Sequence, residues 1–127
     1  MRSLLCSIVL ASLVCVPSHA DTTLSKTYRS CMEHARGVTA RVLDCTNREY
    51  TRQDQRVSAA YQVLLAQPGR PRQVQLRDAQ QAWLKFRQAN CNYYADPDGG
   101  PLAQVIASDC LLTVTAARVA ELEGLLQ

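Results

Sequence analysis

The chain predicts an all-α fold, a small antiparallel bundle of one short and three long helices held by two disulfides. Three observations carry this. Apolar residues recur at steps of three and four along most of residues 26–126, the spacing of one helix face. Strand signals are nearly absent: no run alternates Val, Ile and Thr with polar residues, and no Asn-Gly turn occurs. Breakers cluster at three places only, around Gly37, at Pro68-Gly69-Arg70-Pro71 and at Asp96-Pro97-Asp98-Gly99-Gly100-Pro101.

Residues 1–20 come first and are excluded from the fold. Arg2 provides a positive start, and Leu4 to Val16 is an apolar run too short to span a bilayer. Ser18-His19-Ala20 offers small residues at the positions a secretory cleavage site requires. The expectation is a signal peptide cleaved after Ala20, leaving residues 21–127 as one domain in the periplasm or outside the cell. The mature chain then carries no membrane span. Cys15 suggests a lipid anchor, but Val14 stands where such signals want a small residue.

A short helix before Gly37 carries Tyr28, Cys31 and Met32. The longest helix is predicted from Thr39, taken as N-cap, to Gln67, with the stripe Leu43, Asn47, Tyr50, Asp54, Val57, Tyr61, Leu64. The next spans Pro71–Ala95, with Pro71 suited to a first turn. Its stripe is Leu76, Ala79, Trp83, Phe86, Asn90, Tyr93. Trp83 and Phe86, the single Trp and single Phe of the chain, are expected in the core. The last helix spans Leu102–Leu126, with Val105, Leu112, Ala116 and Val119 on one face and Leu111, Leu122 and Leu125 beside them. Short connections favour antiparallel neighbours.

Cleavage removes Cys6 and Cys15, so four cysteines remain. An even number in an exported chain of this size reads as a disulfide framework. Cys31 and Cys45 flank Gly37 at similar distances, and at about 1.5 Å rise per residue their sulfurs stand at similar heights on two antiparallel helices. Cys91 and Cys110 flank the Asp96–Pro101 turn in the same way. The predicted pairs are Cys31–Cys45 and Cys91–Cys110. Zinc is excluded as their use, because no two of these cysteines have the close spacing of a zinc site, and no other metal or cofactor is expected.

The formal charge of +3 falls to +2 once Arg2 is removed. That is too weak to imply a nucleic-acid partner. Enzyme chemistry is excluded as well, and no catalytic residue is assigned. His34 is the one histidine left, the cysteines are oxidised and so not nucleophiles, and Asp44, Glu49 and Asp54 at steps of five do not share a helix face.

Two polar patterns remain. Gln80, Arg87, Asp54, Thr115 and Arg118 lie on or beside the apolar stripes of three helices. Buried polar groups need partners, so a network is expected in which Asp54 pairs with Arg87 or Arg118. Arg41, Arg48, Arg52 and Arg56 fall within a narrow arc of the long helix. They suggest a solvated face, or one that meets an anionic envelope surface or an acidic protein.

The segment Leu76-Arg77-Asp78-Ala79-Gln80-Gln81-Ala82-Trp83-Leu84-Lys85-Phe86-Arg87-Gln88-Ala89-Asn90-Cys91 resembles the central motif of the lysozyme inhibitor LprI N-terminal-domain family, in its Leu76, Arg77, Gln80, Trp83, Phe86, Arg87 and Cys91. Upstream, Cys45, Glu49-Tyr50, Asp54, Val57, Tyr61 and Leu64 are similar to a second segment of that family, with Val57 in place of Leu. Downstream, Gly99-Gly100, Cys110, Thr115, Arg118 and Leu122 are similar to its ending, with Val114 in place of Leu. The resemblance covers most of the mature chain. It implies a small exported helical domain with disulfides that binds rather than catalyses, and a lysozyme-like muramidase as partner. The alternative is an envelope module that recognises an anionic surface or a protein. For the first role the one acidic protrusion is Asp96-Pro97-Asp98-Gly99-Gly100, preceded by Tyr93-Tyr94. Tyr93, Tyr94, Asp96 and Asp98 are then the expected contacts with a basic target.

Overall fold

The computed structural model describes residues 24–67 and 69–127. The expected signal segment 1–20, with Cys15 and the cleavage position at Ala20, lies outside the described residues. Four helices follow in order: α1 Lys26–Ala35, α2 Thr39–Leu65, α3 Arg70–Tyr94 and α4 Gly100–Gly124.

The helix ends have local causes. Ser25 caps α1, its hydroxyl accepting from the Tyr28 N–H at 2.9 Å. α1 stops where Arg36 and Gly37 both turn left-handed, at φ 48° and 73°. Thr39 is not the N-cap of α2; Val38 holds that position without a side-chain cap. The Val38 carbonyl accepts from the N–H groups of Arg41 and Val42, both at 2.9 Å, so the backbone closes the first turn by itself. α3 and α4 each carry proline in the first turn, Pro71 and Pro101, where no N–H is needed.

Each helix runs antiparallel to the one before it. Ser25 meets Glu49 and Cys31 meets Cys45; Arg118 meets Gln80 and Cys110 meets Cys91. α2 and α4 therefore run parallel, as the pairs Asn47–Ser108 and Arg56–Glu123 show. They form the most extensive helix contact, while α3 packs on α4 and α1 on α2. By length and composition α4 could cross a membrane. Within this bundle its Leu112, Val119 and Leu122 are buried, which accounts for part of its apolar character, while Leu102, Ile106 and Leu125 remain exposed.

The core cluster is Val57, Ala60 and Leu64 of α2 with Val119 and Leu122 of α4, and Tyr61, Leu76 and Trp83 pack against it. Two predicted stripes are displaced. On α2 the buried line runs through Cys45, Thr46, Glu49, Gln53, Val57, Ala60 and Leu64; Leu43, Tyr50, Asp54 and Tyr61 lie on its flank, and Asn47 is exposed. On α3 the inward line is Leu76, Gln80, Trp83, Arg87 and Cys91, whereas Ala79, Phe86 and Tyr93 face solvent. Phe86 is 55 % exposed and is not a core residue. Among the described residues α4 is the only helix that covers much of α3, so one of its two apolar-rich lines stays open. Truncating Phe86 to Ala should change the unfolding free energy by less than about 0.5 kcal/mol, whereas Trp83→Ala should cost about 2 kcal/mol. Chemical denaturation of both variants checks this contrast.

Both disulfides form, Cys31–Cys45 and Cys91–Cys110, with Cα separations of 5.8 and 5.5 Å. These lie within the ordinary range for a disulfide.

Candidate functional site

Two polar assemblies, the arginines of α2 and one turn carry the residues singled out by the sequence. The first assembly is the network between α2, α3 and α4. Arg87 Nη1 donates to Asp54 Oδ1 at 2.6 Å and to Thr115 Oγ1 at 3.2 Å. The Arg87 guanidinium also lies 4.7 Å from the Trp83 ring centroid and 5.6 Å from that of Tyr50. Arg118 turns elsewhere. Its Nε and Nη2 donate to Gln80 Oε1 at 3.1 and 3.0 Å, and its Nη1 to Glu121 Oε2 at 2.7 Å. Asp54 thus takes Arg87 and leaves Arg118 to Gln80, with Trp83 touching both guanidinium groups. Among the described residues no buried side-chain nitrogen or oxygen lacks a partner. A network whose groups are spent on one another fixes helix register and has little left to offer a ligand. Leu76 is half-buried against the core, and Arg77 is exposed.

The second assembly centres on Glu49, which is only 4 % exposed. Its carboxylate accepts from the Ser25 N–H at 2.9 Å, the Ser25 hydroxyl at 2.7 Å and Gln53 Nε2 at 2.7 Å. Arg52 closes a two-point contact at 3.0 and 2.6 Å. Burial by itself pushes the Glu49 carboxyl up. The donors from Arg52, Ser25 and Gln53 together outweigh it and hold the pKa at about 2. The same pairing raises the Arg52 pKa above its ordinary value. Glu49 stands in a recognisable motif, but spacing of apolar residues cannot reveal a carboxylate buried on its own donors.

The arginines of α2 do not form one open cationic face. Arg48 pairs with Asp44, Arg52 with Glu49, and Arg56 makes a two-point contact with Glu123 at 3.0 and 2.6 Å. Asp44 and Glu49 reach Arg48 and Arg52 from one turn earlier on α2 itself, and α4 brings Glu123 to Arg56, a contact that a single-helix projection does not contain. Arg41 alone of the four has no ion pair among the described residues.

The turn between α3 and α4 has the character of a contact surface. Tyr93 is 83 % exposed and meets Tyr94 edge-on, with ring centroids 5.4 Å apart. Asp96 Oδ1 accepts from the Asp98 N–H at 2.9 Å, and its carbonyl from the Gly99 N–H at 3.1 Å. The acidic tip is thereby folded back on itself as an Asx turn. A Cβ on Gly99 would stand 2.7 Å from the Ala103 Cβ, so only glycine fits that corner. The Cys91–Cys110 bond joins α3 to α4 one turn before the end of α3 and ten residues into α4. A groove of about 630 Å³ opens between Tyr93, Tyr94 and Pro97 on one side and Leu102 and Ile106 on the other. Leu102 and Ile106 are exposed and were not among the residues expected here. The available signal is their step of four in line with the polar Asp109 and Thr113, both also exposed: an apolar pair on the polar side of a helix.

Among the described residues no group of three or more His, Cys, Asp or Glu side chains is placed to hold a metal ion. Thus the fold presents an exposed aromatic and acidic turn on a tightly cross-bonded bundle.

Residues 31–122 match the family model described as lysozyme inhibitor LprI. No curated protein and no solved structure gives a match. The matched stretch holds both disulfides, the Arg87 and Arg118 networks and the α3–α4 turn, and the chain belongs to the lysozyme inhibitor LprI family.

Proposed function

We propose that this protein is an exported binding protein that blocks a lysozyme-like muramidase through its α3–α4 turn. Family membership supports the general role. The observation that carries the site is the turn itself: exposed Tyr93 and Tyr94, the acidic Asp96 and Asp98, and apolar Leu102 and Ile106, held in place by Cys91–Cys110. Rigid aromatic side chains give large contact area at small entropic cost. Carboxylates suit a basic target and speed its capture. The protein acts by occupying the cleft, without chemistry of its own. Residues 1–20 serve as the cleaved signal, so the exported protein begins at Asp21, which N-terminal sequencing would establish.

The test is inhibition of several purified muramidases by the purified protein. Tyr93→Ala combined with Asp96→Asn and Asp98→Asn should weaken inhibition at least about tenfold, with the melting temperature unchanged. Inhibition untouched by these substitutions would move the contact elsewhere. No inhibition and no complex at micromolar concentration would end the muramidase reading.

A further inference from the structure

A second concave site lies between α1 and α2, on residues the inhibitor reading does not use. Lys26, Ser30 and His34 follow one another at steps of four on α1. Arg41, Cys45 and Arg48 face them from α2. The two walls are joined beneath by the Cys31–Cys45 disulfide, and buried Ala35 adds to the floor. The groove measures about 710 Å³, within the range of roughly 300–1,000 Å³ that small-molecule sites occupy.

Its charge is unbalanced. Lys26, Arg41 and Arg48 line it against one carboxylate, Asp44. Arg48 is spent on Asp44. Lys26 and Arg41 have no ion pair among the described residues, so two positive charges remain at the rim over an apolar floor. His34 adds a fixed polar group. Its Nδ1 is 2.7 Å from the Ser30 carbonyl oxygen. A carbonyl can only accept, so the Nδ1 carries the proton and the Nε2 is left for another partner.

We propose that this groove binds a small anion-headed amphiphile: a carboxylate or phosphate group held by Lys26 and Arg41, with a short apolar body over the Cys31–Cys45 disulfide and Ala35. Each half of the site selects against simpler ligands. An inorganic anion leaves the apolar floor uncovered. A neutral apolar molecule leaves both cations without a counter-charge. Of the arginine stripe read from α2 alone, Arg41 supplies the cation without an ion pair among the described residues, and Lys26 and His34 are added from α1.

The test uses the whole purified protein, titrated by calorimetry and by amide chemical shifts. The probes are decanoate and decyl phosphate below their micellar concentrations, with decanol and inorganic phosphate as controls. Decanoate or decyl phosphate should bind at least about tenfold more tightly than either control, with shifts confined to α1 and the first half of α2. The double variant Lys26→Gln with Arg41→Gln should weaken that binding about tenfold and leave the melting temperature unchanged, since both side chains are exposed. Ser30→Trp, which fills the groove from an exposed position, should abolish it. Cosedimentation with phosphatidylglycerol vesicles, lost in the double variant, assigns the amphiphile to a bilayer lipid; tight binding of the soluble probes without cosedimentation assigns it to a free molecule. Equal affinity for decanol and the anionic probes, no binding of any probe at millimolar concentration, or full affinity in the double variant overturns the proposal.

Discussion

Reduction of both disulfides should destabilise the protein by about 6 kcal/mol, the largest loss expected from any single treatment. Cys31–Cys45 and Cys91–Cys110 span 14 and 19 residues. Loops of that length contribute about 3 kcal/mol each when the bond restricts the unfolded chain. A domain of this size is stable by only about 5–15 kcal/mol in all. The reduced protein should therefore melt at or near physiological temperature, and thermal unfolding with and without reductant checks this. Single-pair variants separate the contributions. Cys31→Ser with Cys45→Ser, and Cys91→Ser with Cys110→Ser, should each lower the melting temperature by about 15 °C. Their functional effects should differ. Loss of Cys91–Cys110 unties α3 from α4 two residues before Tyr93, so muramidase inhibition should fall beyond what unfolding explains. Loss of Cys31–Cys45 should leave inhibition by the folded fraction intact.

The second large effect follows from Glu49. Its folded pKa of about 2 lies below the ordinary value of 4.5, so the folded state favours the charged carboxylate. The resulting stability is fully present above pH 4.5 and is lost as pH falls toward 2. The difference amounts to about 3 kcal/mol. Glu49→Ala should cost a similar about 3 kcal/mol at neutral pH, because it also strips the partners of Ser25, Arg52 and buried Gln53. Glu49→Gln should cost less and should flatten the stability profile between pH 4.5 and 2. Denaturant titrations across that range distinguish the variants. A wild-type profile as flat as that of Glu49→Gln would show that the clasp between Ser25 and α2 does not hold the carboxylate in its charged form.

These two predictions draw on unequal parts of the sequence. The cysteines, the breakers at Gly37, Pro71 and Pro101, and the family motif around Trp83 were all legible from the chain. So was the membership of Asp54 and Arg87 in one polar network. Glu49 was visible as a motif residue, but its burial was not. Burial depends on donors from Ser25, Arg52 and Gln53 arriving together, and no apolar periodicity reports that. Phe86 shows the converse. It repeats at helical spacing with Ala79 and Tyr93, yet that line faces solvent. Gln80 and Arg87, the polar residues beside it, turn inward because each finds a partner on α4 or α2. The candidate turn was found from its acidic and aromatic residues, while its apolar wall, Leu102 and Ile106, emerged only once α4 was placed.

The sequence by itself determined the four helices, their approximate extents and the disulfide pairing. All of these follow from contacts close along the chain: turn residues, proline positions and cysteines at matching heights. Only the tertiary structure decided which face of α2 and α3 is buried, which carboxylate each arginine takes, and where open grooves remain. α2 packs on α4, its parallel partner two connections away, and that contact rotates each helix by what its neighbour can satisfy. Burial belongs to pairs of surfaces, and one helix read alone contains half of each pair.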